Sequence, residues 1–499
     1  MAFSTTYIDS FEGGLDLVSS LNTIPPGFTP NARNMRLATY DGVEKVGGYS
    51  AFATLGAAAH ELVYYEQRDG SPKRLIAAEA TAWQQVDSAG TVSNVRTGMT
   101  TTTETTFVQH EDYLYGLDRQ NNLGRWDGTT LTTFAPGVDT GPKLGIILGI
   151  WSNRMWVAPA TGMRVEFSDP ETFTGTGSWP ADQYVELGGP GTSDKIVGGV
   201  PTPDGLLVFT TRSTYLIYDD TTGANRLVDA ETGCASRKSL AVIGDTIYGV
   251  SSSGVFATNG LKLEVISDRI APIFEKGTPG LSDAAGTTWF SSYLLSYAQS
   301  ASTNDVTLEL LTTTGSFMAF DYPAHAWAHG TLADAGEMCF FVDASDKTKI
   351  RQAFDGGSFN GSDITCFYET PLNPLGDETN FKRLRRVRVV GRGDMDVAVR
   401  SDYVATNLDT ASLNFPAATG GVWNTALWNS AEWGGYQIFE GWALLSAMGR
   451  RFTLRFTETS SLTSPARDAL DDPIPGSIGS AGIYLLEVHY SPTTKRRQM

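Results

Sequence analysis

Short apolar runs that alternate with polar residues recur along most of the chain, and this period of two predicts β-strands. Between residues 53 and 365 the runs are separated by turns built on Asp or Asn. The turns recur about every 45 residues, which is the spacing of four-stranded blades in a β-propeller. They fall at Asp87, Asp127, Asp169, Asp219, Asn259, Asp321 and Asp355. The pattern therefore favours a β-propeller of six or seven blades over a tandem of β-sandwiches.

The residues before the predicted propeller have a different pattern. Residues 1–52 contain few clean alternations and are interrupted by glycine and proline pairs, including Gly13-Gly14 and Pro25-Pro26. We expect an extended N-terminal arm with one or two short strands, which lies across another domain or a neighbouring subunit.

The pattern changes again near the C-terminus. Strand-like runs at 382–391, 449–456 and 483–492 have the size and spacing of a small β-sandwich. Since few residues elsewhere favour helix, the predicted architecture is all-β. It consists of an extended N-terminal arm (1–52), a β-propeller (53–365) and a C-terminal β-sandwich (366–499).

One interval in the predicted propeller is longer than the others. From Asn259 to Asp321 the turn residues are 62 positions apart, which predicts an insertion. It includes the segment 270–277, one of the few stretches of the chain with helical character.

The charge of the chain is strongly negative and unevenly distributed. Its 37 basic and 55 acidic residues give a formal net charge of −18. Residues 1–350 carry −17 of this, and residues 351–499 only −1. An acidic body repels phosphate, so it argues against wrapping or reading nucleic acid. It is compatible with a conduit that DNA passes through without specific binding, and also with an ordinary acidic soluble protein.

Cysteine usage and hydropathy indicate where the chain folds. Cys234, Cys339 and Cys366 are too few and too widely spaced for a disulfide framework or a zinc site. The N-terminal residues show no signal-peptide pattern, and the apolar stretch 144–151 is far shorter than the roughly 20 residues of a spanning helix. We expect folding in a reducing cytoplasm and no membrane segment.

Catalytic templates are not matched. The sequence contains no phosphate-binding loop, no nucleophile elbow and no His-Glu-x-x-His zinc helix. On a strand, His325 and His329 would lie about 13 Å apart, too far to share one ion. The segment Ser282–Trp289 resembles the Asp-box of sialidase propellers, with Asp283 one place early, and predicts a β-turn. We expect no enzymatic activity and no cofactor, although two carboxylates would suffice for a glycosidase.

The densest basic cluster lies in the C-terminal region. It consists of Lys382, Arg383, Arg385, Arg386 and Arg388. Strand alternation would place Arg383 and Arg385 on one face and the other three on the opposite face. Charge on both faces suits an edge strand or an interface. One hypothesis is a docking surface for an acidic partner, such as residues 1–350 of a neighbouring copy; the other is a solvated edge strand.

A tryptophan ladder follows this cluster. Trp423, Trp428 and Trp433 repeat every five residues. Such residues are most often core or loop anchors, and an interface plug is the functional alternative.

Four motifs open the chain: Phe11-x-Gly13-Gly14-Leu15, Pro25-Pro26-Gly27, Asn31-x-x-Asn34 and Asp41-Gly42-x-x-Lys45-x-Gly47-Gly48-Tyr49. They resemble the start of bacteriophage tail hub or nozzle proteins, which are also called phage stabilisation proteins. Where the family often has Arg-Pro-Gly, this chain has Val46-Gly47-Gly48. The segment 207–223 resembles the propeller strands of that family, and the tryptophan ladder with 449–456 is similar to C-terminal domains of related phage proteins.

The resemblance implies a structural protein of the virion tail. Six copies would form a homohexameric ring below the portal and its adaptor in a short-tailed phage, assembled in the host bacterial cytoplasm. The ring would extend the channel for DNA ejection and dock other tail proteins such as a fibre or spike. The resemblance implies no catalytic residues. The alternatives are a sialidase-like glycosidase on the same scaffold, and a monomeric propeller that binds a glycan or a protein.

Overall fold

The computed structural model describes most of the chain in two connected units, a propeller and a sandwich. The described residues are 4–37, 42–102, 104–137, 142–159, 162–175, 177–188, 194–275, 280–299, 302–332, 336–376, 378–401, 406–415, 439–458 and 482–492. Within them, helix is confined to one four-residue α-helix and two single turns of 3-10 helix. None of these has the length and apolar character that crossing a membrane requires. The prediction of an all-β protein is confirmed.

The N-terminal arm contributes seven short strands. They are β1 (Ser4–Ile8), β2 (Gly14–Leu15), β3 (Phe28–Thr29), β4 (Asn31–Arg33), β5 (Met35–Leu37), β6 (Val43–Lys45) and β7 (Tyr49–Thr54). β2 and β3 form a parallel two-stranded sheet of their own. The other five join sheets built from later parts of the chain.

Seven successive sheets of the described residues form the propeller. Sheets 1 and 2 contain β8 (Ala59–Glu66), β9 (Lys73–Glu79), β10 (Trp83–Val86), β11 (Val92–Arg96), and β12 (Thr105–His110), β13 (Tyr113–Asp118), β14 (Leu123–Trp126), β15 (Leu131–Phe134). Sheets 3 and 4 contain β16 (Gly145–Trp151), β17 (Arg154–Pro159), β18 (Arg164–Phe167), β19 (Tyr184–Glu186), and β20 (Ile196–Thr202), β21 (Gly205–Thr210), β22 (Thr214–Ile217), β23 (Asn225–Asp229).

The remaining sheets complete the ring. Sheets 5 and 6 contain β24 (Ala241–Ile243), β25 (Thr246–Ser251), β26 (Gly254–Thr258), β27 (Leu263–Val265), and β28 (Gly280–Trp289), β29 (Ser292–Ala298), β30 (Val306–Leu311), β31 (Ser316–Phe320). Sheet 7 contains β32 (Ala324–Gly330), β33 (Met338–Asp343), β34 (Lys349–Ala353) and then β7, followed by β35 (Ser358–Phe359) and β36 (Ser362–Asp363). The 3-10 turns are Arg237–Ser239 and Asp268–Ile270, and α1 is Pro272–Glu275.

The ring closes because the arm supplies the fourth strand of sheet 7. β7 pairs antiparallel with β34, so that Tyr49 lies opposite Ala353. The first strands of neighbouring sheets pack beside one another, and β32 returns to β8; between sheets 4 and 5, β20 contacts the 3-10 turn that precedes β24. Neighbouring first strands run in the same direction, since Glu61, Thr105 and His325, at or near the starts of β8, β12 and β32, all contact the 3-10 turn that precedes β24.

The repeated turns are explained by this order. Asp87, Asp127, Asp169, Asp219 and Asn259 each follow the third strand of sheets 1 to 5. Asp355 follows the third strand of sheet 7, whereas Asp321 follows the fourth strand of sheet 6. The long interval contains the connection to sheet 6, and its expected helical character is confirmed by α1.

The Asp-box-like segment is not a turn, so that prediction is wrong. Residues 282–289 belong to β28, which pairs with β29 from Ala285 to Trp289. Because the strand continues through the Gly-Thr-Thr-Trp part, the segment lacks the reversal of direction that an Asp-box turn makes.

The C-terminal unit is a β-sandwich that includes strands of the arm. It adds β37 (Cys366–Glu369), β38 (Lys382–Arg392), β39 (Met395–Ser401), β40 (Asp409–Leu413), β41 (Phe439–Gly449), β42 (Phe452–Glu458) and β43 (Gly482–Pro492). The first sandwich sheet has the order β41-β38-β43-β6-β5, and β1 also pairs with β43. The second has the order β4-β37-β42-β39-β40. Val387 and Val389 of the first sheet pack in one core with Val397 and Phe456 of the second.

The arm also packs on the propeller, where Asn34 is the main polar contact. This residue is 1% exposed and has a φ of 55°. Its Nδ2 donates to Asp321 Oδ2 at 2.6 Å and to the Thr365 carbonyl at 2.9 Å, and its Oδ1 accepts from Asp321 N at 2.8 Å. Nearby, a Cβ on Gly48 would collide with the backbone of Ser358. The arm therefore lies across both units of its own chain.

Candidate interaction surfaces

The basic cluster lies on β38, in the interior of the first sandwich sheet. β41 pairs with one side of this strand and β43 with the other. The hypothesis of a solvated edge strand is therefore wrong, because both edges of β38 are covered by neighbouring backbone.

A β-bulge changes which of these side chains share a face. The register of β38 shifts around Arg385 against both neighbouring strands. One extra residue reverses the inside–outside alternation beyond it. The simple alternation, which placed Arg386 and Arg388 with Lys382, is therefore wrong. Lys382 points into the sandwich, whereas Arg383, Arg386 and Arg388 share the outer face.

Lys382 is therefore separate from the outer surface. It is 1% exposed, and its Nζ donates to the carbonyl of Arg450 at 3.1 Å and to the carbonyl of Asn380 at 3.3 Å. Backbone carbonyls thus satisfy this buried ammonium, as burial of a charged group requires.

The three outward arginines are held in different ways. Arg388 forms ion pairs with Glu440 and, at 2.9 Å, with Glu487. The hydrogen bonds that Arg388 donates to Glu487 and Glu440 raise the pKa of Arg388, and the bond from Arg388 lowers the pKa of Glu487. The Arg386 guanidinium stacks 4.1 Å from the ring centre of Trp442, a cation–π contact.

Two of these arginines have no acidic partner. Arg383 donates to Ser446 Oγ at 3.1 Å, and among the described residues no carboxylate lies within 4 Å of Arg383 or Arg386. The three outward arginines thus outnumber the two carboxylates that pair with them, Glu440 and Glu487.

Large apolar side chains surround these arginines, and they are not among the residues that the sequence patterns single out. On β41, Trp442 is 42% exposed, Leu444 73% and Met448 57%. They lie directly opposite Arg388, Arg386 and Arg383 of β38 in register. We call this surface, with Arg383, Arg386, Arg388, Trp442, Leu444 and Met448, the arginine face.

The sequence does contain a signal for this surface. In FEGWALLSAMG, the outward Trp442, Leu444 and Met448 alternate with the inward Ala443, Leu445 and Ala447. A strand that is apolar on both faces is typical of a strand covered on both faces. The remaining sequence candidates, Trp423, Trp428 and Trp433, lie outside the described residues.

A second surface emerges from the topology of the propeller. Turns that join strands one to two and three to four of each sheet all lie at the same end of the ring. In sheets 1 to 5 these turns carry 12 acidic and two basic residues. We call this end the acidic turn face. The opposite end of the same sheets carries three acidic and six basic residues among the described turns.

Turn chemistry explains many of these acidic residues. Asp219 Oδ1 accepts hydrogen bonds from the backbone of Thr221 at 2.8 Å and of Thr222 at 3.1 Å. These hydrogen bonds, with that from Thr222 the largest cause, lower the pKa of Asp219 to about 2. The backbone of Thr91 likewise lowers the pKa of Asp87. These carboxylates are therefore ionised at neutral pH.

Exposed apolar side chains also occur on the acidic turn face. Tyr218 is 52% exposed, Leu261 61% and Phe290 72%, and each lies in one of these turns. Phe290 has a φ of 50°, a conformation that bulky residues rarely adopt. This end of the propeller thus combines negative charge with exposed apolar groups.

At the other end, side chains from several sheets meet at the propeller axis. Arg237, in the 3-10 turn before sheet 5, forms an ion pair with Glu61 of sheet 1 and donates to the Thr105 carbonyl of sheet 2 at 3.2 Å. Lys238 Nζ donates to the His325 carbonyl of sheet 7 at 2.9 Å and lies 3.3 Å from its Nε2. These contacts cross the axis and hold the sheets together.

Burial controls the protonation of this axial cluster. Loss of solvent lowers the pKa of Lys238 to about 8, that of His60 to about 4 and that of His325 to about 3. The nearby carboxylates of Glu61 and Asp283 act in the opposite direction on Lys238. Both histidines are therefore neutral near pH 7.

The histidine pair considered for metal binding uses separate partners. His325 faces Lys238, whereas His329 Nδ1 lies 3.1 Å from Thr287 Oγ1. In the part of the chain that the structure describes, no group of three or more His, Cys, Asp or Glu residues is arranged to hold a metal ion.

A polar cleft of about 730 Å³ separates the outer strands of sheets 1 and 2. Most of its lining consists of hydroxyl and amide side chains, including Thr100, Thr133 and Asn121. The Arg96 guanidinium in its wall lies 4.9 Å from the Trp83 ring and donates to the Asn122 carbonyl at 2.9 Å. The lining of the cleft is thus mainly neutral and polar.

Solved structures of other proteins resemble this chain only distantly. No family model and no curated protein matches the chain. A streptogramin B lyase structure is 13% identical over 61% of this chain and 96% of that one, with a TM-score of 0.41. BamB from Moraxella catarrhalis is 12% identical over 67% and 98%, with a TM-score of 0.40, and the WD40 repeats of RRP9 are 8% identical over 62% and 99%, with a TM-score of 0.38. Such distant similarity carries no argument about activity or partners.

Proposed function

We propose that this chain is a structural subunit of a short-tailed bacteriophage tail, the hub or nozzle ring below the portal and its adaptor. Six copies assemble into the ring in the host cytoplasm, extend the channel for DNA ejection and dock other tail proteins. The subunit acts mechanically and electrostatically, without catalysis or a cofactor.

The observation that carries this proposal is the role of the family-like motifs in the arm. Phe11 is 1% exposed and packs edge-on against Tyr368 of the sandwich, with ring centres 5.6 Å apart. Asn34 joins the arm to Asp321 of the propeller, and Gly48 allows close approach to Ser358. The residues that resemble the phage family are thus those that tie the propeller to the sandwich. A stiff connection of this kind suits a subunit that transmits load within a tail.

The charge distribution supports the conduit. A net charge of −18 disfavours attachment of DNA to the walls of a channel. The ion pair between Arg237 and Glu61 crosses the axis of each propeller. In this proposal, DNA therefore passes through the central opening between subunits and not along the axis of a single propeller.

Light scattering and negative-stain imaging of the purified chain, with and without its adaptor, test the proposal. We expect rings of about six copies around a central opening. A chain that stays monomeric with the adaptor present would contradict the proposal.

The cleft between sheets 1 and 2 favours one alternative, glycan binding by a monomeric propeller. Its neutral hydroxyl and amide lining suits a sugar better than an ionic ligand. Binding to a glycan array and release of reducing sugar distinguish this alternative from the ring. Saturable binding that Thr133→Val weakens, by a chain that forms no ring, would favour it.

A further inference from the structure

We propose that the arginine face of one copy packs against the acidic turn face of another copy, so that subunits associate head to tail. The inference rests on the proposed ring and names the two surfaces that build it.

The first argument is the exposed apolar side of β41. Its inward residues Ala443, Leu445 and Ala447 are at most 3% exposed, as a sandwich core requires. The outward residues Trp442 and Leu444 are equally apolar but exposed. Removing apolar area from water is favourable, so covering this side on association stabilises the complex. Trp, Met and Arg are also the residue types enriched in the cores of protein interfaces.

The second argument is charge complementarity. Arg383 and Arg386 of the arginine face have no acidic partner among the described residues, so the face keeps positive charge for which a partner surface can supply carboxylates. The acidic turn face has a net charge of −10 over the turns of sheets 1 to 5. Its Asp204 and Asp245 are exposed at the tips of turns in adjacent sheets. The arginines thus find their counter-charges on another copy.

The third argument is that the acidic turn face also offers apolar groups. Leu261 and Tyr218 project from the turns of sheets 5 and 4, near Asp245 and Asp204. Phe290 occupies its exposed position in spite of a left-handed backbone conformation. The left-handed conformation is that of its two-residue hairpin turn, and the turn leaves the ring exposed for a contact.

These two faces differ, and that determines the type of assembly. A contact between two different surfaces is heterologous and forms a ring when the rotation closes. A two-fold dimer would instead place like surfaces together, which the unpaired arginines of the arginine face oppose.

Sedimentation velocity of the full chain over a wide concentration range tests the proposal. We expect concentration-dependent association that weakens between about 0.05 M and about 0.5 M salt. The double variant Arg383→Glu/Arg386→Glu and the variant Leu444→Ser should each weaken association at least tenfold. Arg212→Glu, at the opposite end of the propeller, and Leu227→Ser, on the outer strand β23, are matched controls and should associate like the wild type.

A charge exchange sharpens the test. Asp204→Arg/Asp245→Arg should also weaken self-association. Mixing this variant with Arg383→Glu/Arg386→Glu should restore it, since each reversed face then meets a complementary one. Circular dichroism and thermal melting verify that all variants fold.

Two outcomes would overturn the inference. One is wild-type association that the arginine-face variants leave unchanged; rings imaged in those variants would then leave the proposed function standing without these surfaces. The other is a wild-type chain that sediments as a monomer throughout. Restored pairing in the mixture without rings, by contrast, would support the two faces and contradict the ring.

Discussion

Two sets of ion pairs in the C-terminal sandwich use similar chemistry in different surroundings. Lys45 of the arm lies 2.8 Å from Glu458 of β42, with side chains 3% and 1% exposed. On the arginine face, Arg388 contacts Glu440 and Glu487 with its own side chain 27% exposed and that of Glu440 59% exposed. The first pair joins the two sheets of the sandwich across its core, and the second lies across neighbouring strands at the surface.

The difference shows how burial decides the role of an ion pair. A buried charge that loses its partner remains desolvated, so each member of the Lys45–Glu458 pair depends on the other. Surface charges are hydrated and exchange partners at little cost. We therefore expect the buried pair to control folding of the arm onto the sandwich, and the exposed arginines to control recognition.

Breaking the buried pair should have the largest effect. Lys45→Met removes the ammonium beside the buried Glu458 carboxylate, and we expect the free energy of unfolding to fall by about 3–5 kcal/mol. Denaturant unfolding measures this change. The matched control is Lys45→Met/Glu458→Leu, which should recover most of the loss. A single variant as stable as the wild type would show that the pair does not hold the arm.

The buried histidines at the propeller axis show a further effect of burial, which is a dependence of stability on pH. Burial lowers the pKa values of His60 and His325 to about 4 and about 3 in the folded chain. In the unfolded chain these histidines have the ordinary pKa of about 6.5, so the unfolded chain binds protons at a higher pH than the folded chain. Their stabilisation is therefore complete above pH 6.5 and is lost as the pH falls toward 4. We expect about 2–3 kcal/mol from each histidine.

Unfolding at stepwise pH values measures this loss, and His325→Gln should flatten the slope between pH 6.5 and 4. An unchanged slope would contradict the role of His325. Lys238 acts in a different pH range, because burial lowers its pKa to about 8 in the folded chain. Between about pH 8 and the ordinary lysine pKa the unfolded chain binds more protons, so the free energy of unfolding rises with pH.

A loss of stability similar to that from one histidine is expected where a buried contact joins a neutral amide to a carboxylate. Asn34→Ala removes the bonds to Asp321 and Thr365 and leaves alanine in a left-handed conformation, and we expect a loss of about 2–3 kcal/mol. Asn34→Gly removes the same bonds without the backbone strain, so the difference between the two variants isolates the strain. Thermal melting of both variants checks the prediction; equal stability of wild type and Asn34→Ala would refute it.

The smallest change in stability is expected for the exposed ion pairs of Arg388. Arg388→Gln removes the contacts with Glu440 and Glu487, and the free energy of unfolding should change by less than about 1 kcal/mol. Denaturant unfolding in low and high salt provides the measurement. A loss as large as that of Lys45→Met would mean that the surface ion pairs hold the sandwich together.

Sequence patterns predicted much of the fold but less of the candidate surfaces. The turns at Asp87 and Asp219 were recognisable because Asp bonds to the backbone two or three residues ahead, which is a local interaction. The strand at 382–391 was recognisable because the alternation of residues along one strand is also a local pattern. Its bulge at Arg385 was not, since a bulge depends on the register of two other strands.

What the sequence by itself determined is the local level: strands with a period of two, turns with side chains that bond to them, and a negative charge concentrated in residues 1–350. Only the tertiary structure decided which strands share a sheet, because pairs such as β7 with β34 join residues almost 300 positions apart. It also decided that the acidic turns of five sheets lie at one end of the propeller and that one side of β41 is exposed. These features follow from long-range packing, which no local pattern of residues encodes.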